Sequence, residues 1–241
     1  MKIKQLSISC HNRLLIDDLN VEMKKGQFWA VLGKNGSGKT TLLETLAGFK
    51  PYTVGEIKLN KLELKSYTAL FRAQKIAYLS QLLEAGLNCT VQQSVSYGRY
   101  PWHLSAEERN HDDEKINRAL SAMKLEKLKE QNIQQISGGE LRKVEIATLL
   151  AQDSDILMLD EPLNHLDMAF RYHLMQLLKK KSKNKLIIMV THDIQYVQAY
   201  CTNVIMLLNN GKTLIGKVED ILTTENVNTM LDIPLTAQIL I

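Results

Sequence analysis

The feature that most constrains this chain is Gly33-Lys34-Asn35-Gly36-Ser37-Gly38-Lys39-Thr40, a loop of the form G-x-x-x-x-G-K-[ST] between an apolar run and a helical one. Gly33, Gly36 and Gly38 permit a turn tight enough for successive backbone N–H groups to converge on a chain of phosphates. Lys39 adds a compact positive charge for the outer phosphates, and the Thr40 hydroxyl suits a magnesium ion. A helix that starts here directs its positive end at the same anion. The flanks agree: Phe28 to Leu32 reads as a buried strand, and Leu42, Leu43 and Leu46 give the next helix one apolar face. The loop points to a bound nucleoside triphosphate.

Around this loop the chain alternates between strand and helix. Ile3 to Ser9 and Leu19 to Met23 read as paired strands, Gly48 and Pro51 close the first helix, and Gly55 to Leu59 with Leu62 to Leu64 form a hairpin. Lys75 to Ser80 is a strand ending at Gln81. From about Thr90 to Gln135 the strand signal disappears. In its place stand a capping box, Ser105 to Glu108, acidic first-turn residues, and apolar positions at Ile116, Leu120 and Met123. Strand and helix alternate again after Gln152: Ile156 to Leu159, a helix with Phe170, Leu174, Leu177 and Leu178 on one face, Leu186 to Val190, a short helix through Tyr196 and Val197, and Val204 to Leu208. Asn210-Gly211 then turns the chain into Thr213 to Ile215. Apolar strands alternating with helices predict a mainly parallel sheet covered on both faces.

Composition narrows the setting. A chain of 241 residues, 45% hydrophobic, can bury the core of a single domain with a subdomain. Its cysteines, Cys10, Cys89 and Cys201, lack metal-ligand spacing and read as reduced thiols of a cytosolic protein. The net charge of +4 is mild, and the run Lys179 to Lys181 with Lys183 and Lys185 reads as a solvated helix end rather than a nucleic-acid patch. No leader and no stretch approaching a bilayer span is apparent, so a membrane role would come through a partner.

Other motifs carry chemistry. Asp155 to Pro162 is an apolar strand that delivers Asp160 and Glu161 at its C-terminal end, where open α/β sheets place ligands. Asp160 can hold magnesium, and Glu161 can orient and deprotonate a water aimed at the terminal phosphate. Thr191-His192 ends the next strand, where the histidine could bond the leaving phosphate or the water. Gln81 could contact both the magnesium shell and the attacking water. Ile136-Ser137-Gly138-Gly139-Glu140 precedes a helix and would aim Ser137, Gly138 and Gly139 backbone N–H groups at a second anion-binding point.

With these elements in this order, the chain resembles the nucleotide-binding subunits of ATP-binding cassette transporters over essentially its whole length. GKNGSGKT is similar to the Walker A loop, with Gly33, Asn35, Gly36, Ser37, Gly38, Lys39, Thr40 and Thr41 as the implied nucleotide contacts. Gln81 looks like the Q-loop, ISGGE the signature, DILMLDEP the Walker B strand, Leu163 to Asp167 the D-loop, and His192 the switch histidine. The resemblance implies a P-loop NTPase α/β core (1–87 and 152–241) with an antiparallel β subdomain and an inserted α-helical subdomain (88–151) that carries the signature. It implies ATP and Mg2+ as cofactors, the metal on Thr40, Gln81 and Asp160, and catalysis by Glu161, His192 and Gln81. Two copies would pair head to tail, so that Ser137, Gly138, Gly139 and Glu140 act in trans, with Asp167 in the D-loop. The partners implied are a second copy, transmembrane permease subunits and a substrate-binding protein, at the cytoplasmic face of the membrane and without nucleic acid.

Cys89-Thr90-Val91 and Tyr97-Gly98-Arg99-Tyr100-Pro101 are similar to the ATPases of importers for iron-siderophore, haem and cobalamin. Tyr97, Arg99, Tyr100 and Trp102 are therefore expected to form a permease-docking surface, with core packing as the rival account. An exporter or lipid-transport ATPase is the alternative within transport, and a DNA-repair or ribosome-associated ATPase lies outside it. Departures include Lys34 where proline is common, its side chain expected in solvent, Leu163 for threonine, Lys143 for arginine, and Cys10, with His11 beside it, where an aromatic often stacks on adenine.

Overall fold

The computed structural model describes residues 1–10, 13–81, 88–102 and 112–234. His11 and the Ser105 to Glu108 capping box lie outside the described residues. The chain forms two compact units, one of residues 1–67 with 178–241 and one of residues 68–177.

The first unit holds two sets of strands. β1 (Lys2–Cys10), β2 (Arg13–Glu22), β4 (Val54–Leu59) and β5 (Leu62–Glu63) form an antiparallel sheet in the order β2-β1-β4-β5. In the second set β3 (Phe28–Gly33) runs parallel to both β8 (Leu186–Val190) and β9 (Asn203–Leu207), and β10 (Thr213–Lys217) pairs antiparallel with β9. Burial on both faces explains the continuous apolar runs: Phe28 to Leu32 are at most 3% exposed, and β8 is buried throughout. The 3-10 turn Asn209–Gly211, with Asn210 at φ 57°, connects β9 to β10 as the Asn-Gly pair predicts. Helix α1 (Lys39–Ala47) buries Leu42, Leu43 and Leu46 and stops at Gly48, whose φ of 79° requires glycine or costs strain.

The second unit pairs β6 (Ile76–Leu79) with β7 (Ile156–Asp160) in parallel. Its helices are α2 (Ala69–Lys75), α3 (Val91–Ser96), α4 (Asp112–Ala122) and α5 (Gly138–Gln152). Helix α6 (Met168–Ser182) begins here and ends in the first unit. Ile116, Leu120 and Met123 are buried, as their helical spacing predicts. The α/β fold with parallel strands, an antiparallel β portion and a helical portion is the one expected.

The structure corrects the docking expectation for Arg99 and Trp102. Arg99 is 1% exposed, its Nε donates to Asp112 Oδ1 at 2.6 Å, and its Nη1 donates to the carbonyls of Ala151 and Gln152 at 3.0 and 3.2 Å. Those carbonyls end α5, where a cation meets the negative end of the helix. Trp102 Nε1 donates to the same Gln152 carbonyl at 2.6 Å, and a Cβ on Gly98 would lie 2.2 Å from the Thr148 carbonyl oxygen. The Gly98-Arg99 pair is thus a brace packed on α5, while Tyr97 and Tyr100 stay 52% and 71% exposed. Removing one partner of a buried ion pair strands the other, so Arg99→Ala should lower unfolding free energy by about 3–5 kcal/mol in urea titration. Tyr100→Ala should change it by no more than about 0.5 kcal/mol, and equal effects at both positions would contradict the assignment.

Candidate nucleotide site

In the first unit the phosphate loop leaves β3 at Gly33 and enters α1 at Lys39. Gly36 and Gly38 have φ of 76° and 99°, and a Cβ on Gly33 would meet Ser37 Oγ at 2.4 Å. These are positions where a side chain is strained or sterically excluded. Gly38 sits at the N-cap of α1 and offers no side chain to cap it, so the first N–H groups of the helix face out of the loop. Lys39 is 9% exposed, and its ammonium donates to the carbonyls of Gly33 and Lys34, both at 2.9 Å. The Ser37 hydroxyl is buried with no hydrogen-bond partner among the described residues. A cradle of backbone N–H groups with a buried ammonium and an unsatisfied hydroxyl fits a polyphosphate. Asn35 is exposed at the loop tip, and Thr40 and Thr41 open α1 half-buried.

One reading in this unit changes. Lys34 is tethered rather than free in solvent: its ammonium bonds Asp232 at the end of α7 (Thr224–Leu231), and Asn209 Nδ2 donates to the same carboxylate at 2.6 Å. The Lys34 contact first, and the Asn209 bond second, hold the Asp232 carboxyl below the usual aspartate range. Cys10 is half-buried opposite Arg13 in the β1–β2 pairing. His192 is exposed just beyond β8, after a buried Thr191 whose hydroxyl accepts from the Asp193 N–H at 3.1 Å.

In the second unit Asp160 ends β7 fully buried, and Glu161 follows at 7% exposure with φ 46°. A left-handed glutamate is uncommon and marks a backbone held by its surroundings. Gln81 lies exposed after β6. Asp167 accepts the Phe170 N–H at 2.8 Å and so caps the start of α6, a structural duty that the sequence did not assign it. Leu163 is buried, and the Lys143 ammonium lies 4.0 Å from the ring centroid of Phe170.

Helix α5 begins in a capping box. Glu140 N–H donates to Ser137 Oγ at 3.3 Å, while Ser137 N–H and Oγ donate to Glu140 Oε2 at 2.8 and 2.7 Å. The Ser137 N–H thus already has a partner, the Glu140 carboxylate. Gly138 has open space where a Cβ would stand, and a Cβ on Gly139 would lie 2.9 Å from the His165 carbonyl oxygen.

The chain belongs to the ABC transporter family, whose model matches residues 16–164. It is similar to the petrobactin import ATP-binding protein YclP of Bacillus subtilis (strain 168), 31% identical over 99% of this chain and 95% of that one. It is also similar to the iron(3+)-hydroxamate import ATP-binding protein FhuC of the same organism, 31% identical over 93% of this chain and 85% of that one. Among solved structures it matches a dimeric, post-hydrolysis ATP-binding cassette, MJ0796, bound to ADP and phosphate, with TM-score 0.78 and 25% identity over 90% of this chain and 98% of that one. The chain is thus the ATP-binding, ATP-hydrolysing component of a transporter. Among the described residues no helix is long and apolar enough to cross a membrane.

The capping box has a pH signature. The Ser137 hydroxyl first, and its backbone N–H second, hold the Glu140 carboxyl below the usual glutamate range. A lowered native pKa stabilises the fold above the unfolded value near ~4.3 and loses that contribution as pH falls through the lowered value. Wild type should therefore resist urea better than Glu140→Gln at neutral pH, and the gap should close as the solution is acidified. A gap independent of pH would contradict a hydrogen bond to the ionised carboxylate.

Proposed function

We propose that this chain drives an importer for an iron-siderophore, haem, cobalamin or related metal chelate. It works as a head-to-tail homodimer held at the cytoplasmic face of the membrane by permease subunits, with a substrate-binding protein on the far side. The observation that carries the import reading is the full-length likeness to a petrobactin import ATP-binding protein, 99% of this chain against 95% of that one.

Within that reading the backbone of Gly33, Asn35, Gly36, Ser37 and Gly38 cradles the phosphates, and Lys39 leaves its loop carbonyls for them. Thr40 and Thr41 stand at the helix start beside them. Glu161 accepts the proton of the attacking water, Gln81 orients that water, and His192 bonds the terminal phosphate. Ser137, Gly138, Gly139 and Glu140 meet the partner copy's nucleotide, and Asp167 lies in the D-loop. Among the described residues no three His, Cys, Asp or Glu side chains gather as a metal cage. Mg2+ keeps waters and substrate phosphates in its shell and needs few protein oxygens; Thr40, Gln81 and Asp160 are those assigned to it. When bound, the ion would neutralise charge on the phosphates.

The permease contact is assigned to a groove of about 420 Å³ in the second unit, lined by Tyr78, Leu141, Val144 and Leu149 with the exposed ring of Tyr97 at its edge. A groove with an apolar floor, polar side chains such as Glu145 and Gln152 and an aromatic rim suits a short amphipathic helix of a membrane subunit.

Purified Glu161→Gln should bind ATP while its turnover falls about 10²–10⁴-fold. In cells lacking the native gene, wild type should restore uptake of a radiolabelled ferric siderophore, haem or cobalamin, and Glu161→Gln should not. Tyr97→Ala should hydrolyse ATP in solution yet lose uptake. Near-wild-type turnover by Glu161→Gln would overturn its role as base, and uptake of none of the three chelates by wild type would overturn the import reading.

A further inference from the structure

Arg142 is fully buried, an unusual place for a side chain that is always charged. Such burial is tolerated only where good acceptors surround the group. Its Nη1 donates to the Ser80 carbonyl at 2.7 Å and to Glu145 Oε2 at 3.0 Å. Its Nη2 donates to the carbonyls of Asp160 and Glu161 at 2.8 and 2.9 Å. Three of these four acceptors are main-chain oxygens at the ends of strands, and each belongs to a residue in or beside the chemistry. Ser80 precedes Gln81, and Asp160 and Glu161 are the carboxylates at the end of β7.

The fork of the guanidinium explains why one residue can do this. Its planar array of donors fixes several acceptors at once, which a lysine ammonium cannot match in geometry. The acceptor at Glu161 matters most, because that residue is held at φ 46°. A left-handed non-glycine conformation persists only where neighbours determine it, and Arg142 bonds the carbonyl of the peptide before the Glu161 Cα and the carbonyl of the peptide after it. Arg142 itself rides on α5, five residues along from Ser137 by sequence number. Its neighbour Lys143 takes no part, being turned to the ring of Phe170.

We propose that Arg142 is a positioning residue: it fixes the backbone on which Glu161 stands, and it makes the aim of that carboxylate depend on the placement of the signature helix. Glu145, which bonds the same guanidinium one turn on, holds the fork in plane. The inference rests on the proposed role of Glu161 as base. Because the guanidinium touches carbonyls rather than nucleotide, its loss should act on turnover and not on ATP binding.

The test uses the purified full chain with Arg142→Lys, Arg142→Gln, Glu161→Gln and the double variant Arg142→Lys/Glu161→Gln. Expected are ATP dissociation constants within about twofold of wild type for both Arg142 variants. Turnover should fall at least about tenfold in Arg142→Gln and by an intermediate amount in Arg142→Lys, whose single ammonium restores part of the network. In the Glu161→Gln background, Arg142→Lys should cost nothing further, since the base it aims is gone. If Arg142→Gln does not fold, the lysine variant and the double variant still decide. Turnover of Arg142→Lys equal to wild type, or the same fold-loss with and without Glu161, overturns the inference. If Glu161→Gln itself hydrolyses ATP at the wild-type rate, the failure lies with the reading of Glu161 as base, and the two failures are told apart.

Discussion

The start of an α-helix leaves backbone N–H groups with no partner inside the helix, and an anion is one of the few things that can satisfy several of them together. This chain treats two such starts in opposite ways. Helix α1 has glycine at its N-cap and no side chain to close it. Helix α5 closes itself, with Ser137 and Glu140 exchanging hydrogen bonds in a capping box. The first start is built to receive phosphate with little rearrangement. The second carries a carboxylate against the serine that the proposed function sends to a nucleotide, so Glu140 must give up its Ser137 bonds before that serine can serve. A preformed cradle on one side and a self-capped helix on the other suit a site that is complete only when two copies meet.

The strand end proposed to carry the base shows what such a site demands of its supports. A carboxylate that removes a proton must be held in register with its water, and small displacements are expensive in rate. Glu161 obtains that hold through its backbone: the strand before it is entirely buried, and its carbonyl accepts from Arg142. At the far end of α5, Arg99 bonds the carbonyls of Ala151 and Gln152. The helix that begins at Ser137 is thus tied by buried arginines near its first turns and at its last one.

What the residues disclosed on their own follows from where the signals lie. The phosphate loop, the buried strands and the Asn210-Gly211 turn are local patterns, and each was legible because glycine placement and apolar period are properties of adjacent residues. The Asp160-Glu161 pair was legible for the same reason. Arg142 was not, since its acceptors are carbonyl oxygens that any residue would present, 62 and 18 positions away for Ser80 and Asp160. Lys34 looked like a solvent-facing substitution because its partner, Asp232, stands 198 residues along. Arg99 reads as a surface residue because three large rings, Tyr97, Tyr100 and Trp102, stand close around it, whereas its own buried partner, Asp112, lies 13 residues further on. The helix cap at Asp167 is legible only through its spacing to Phe170, an N-cap signal.

The central claim is that one copy's phosphate loop and the other copy's signature complete a single site. Mixing Lys39→Ala with Ser137→Ala chains tests it most directly, because neither variant can assemble a whole site alone and only the mixed dimer contains one. At equal ratio about half the dimers are mixed, each with one complete site of two, so turnover should recover to about a quarter of wild type if sites fire independently. Turnover no higher than the two variants measured apart, with mixed dimers demonstrably formed, would contradict the claim.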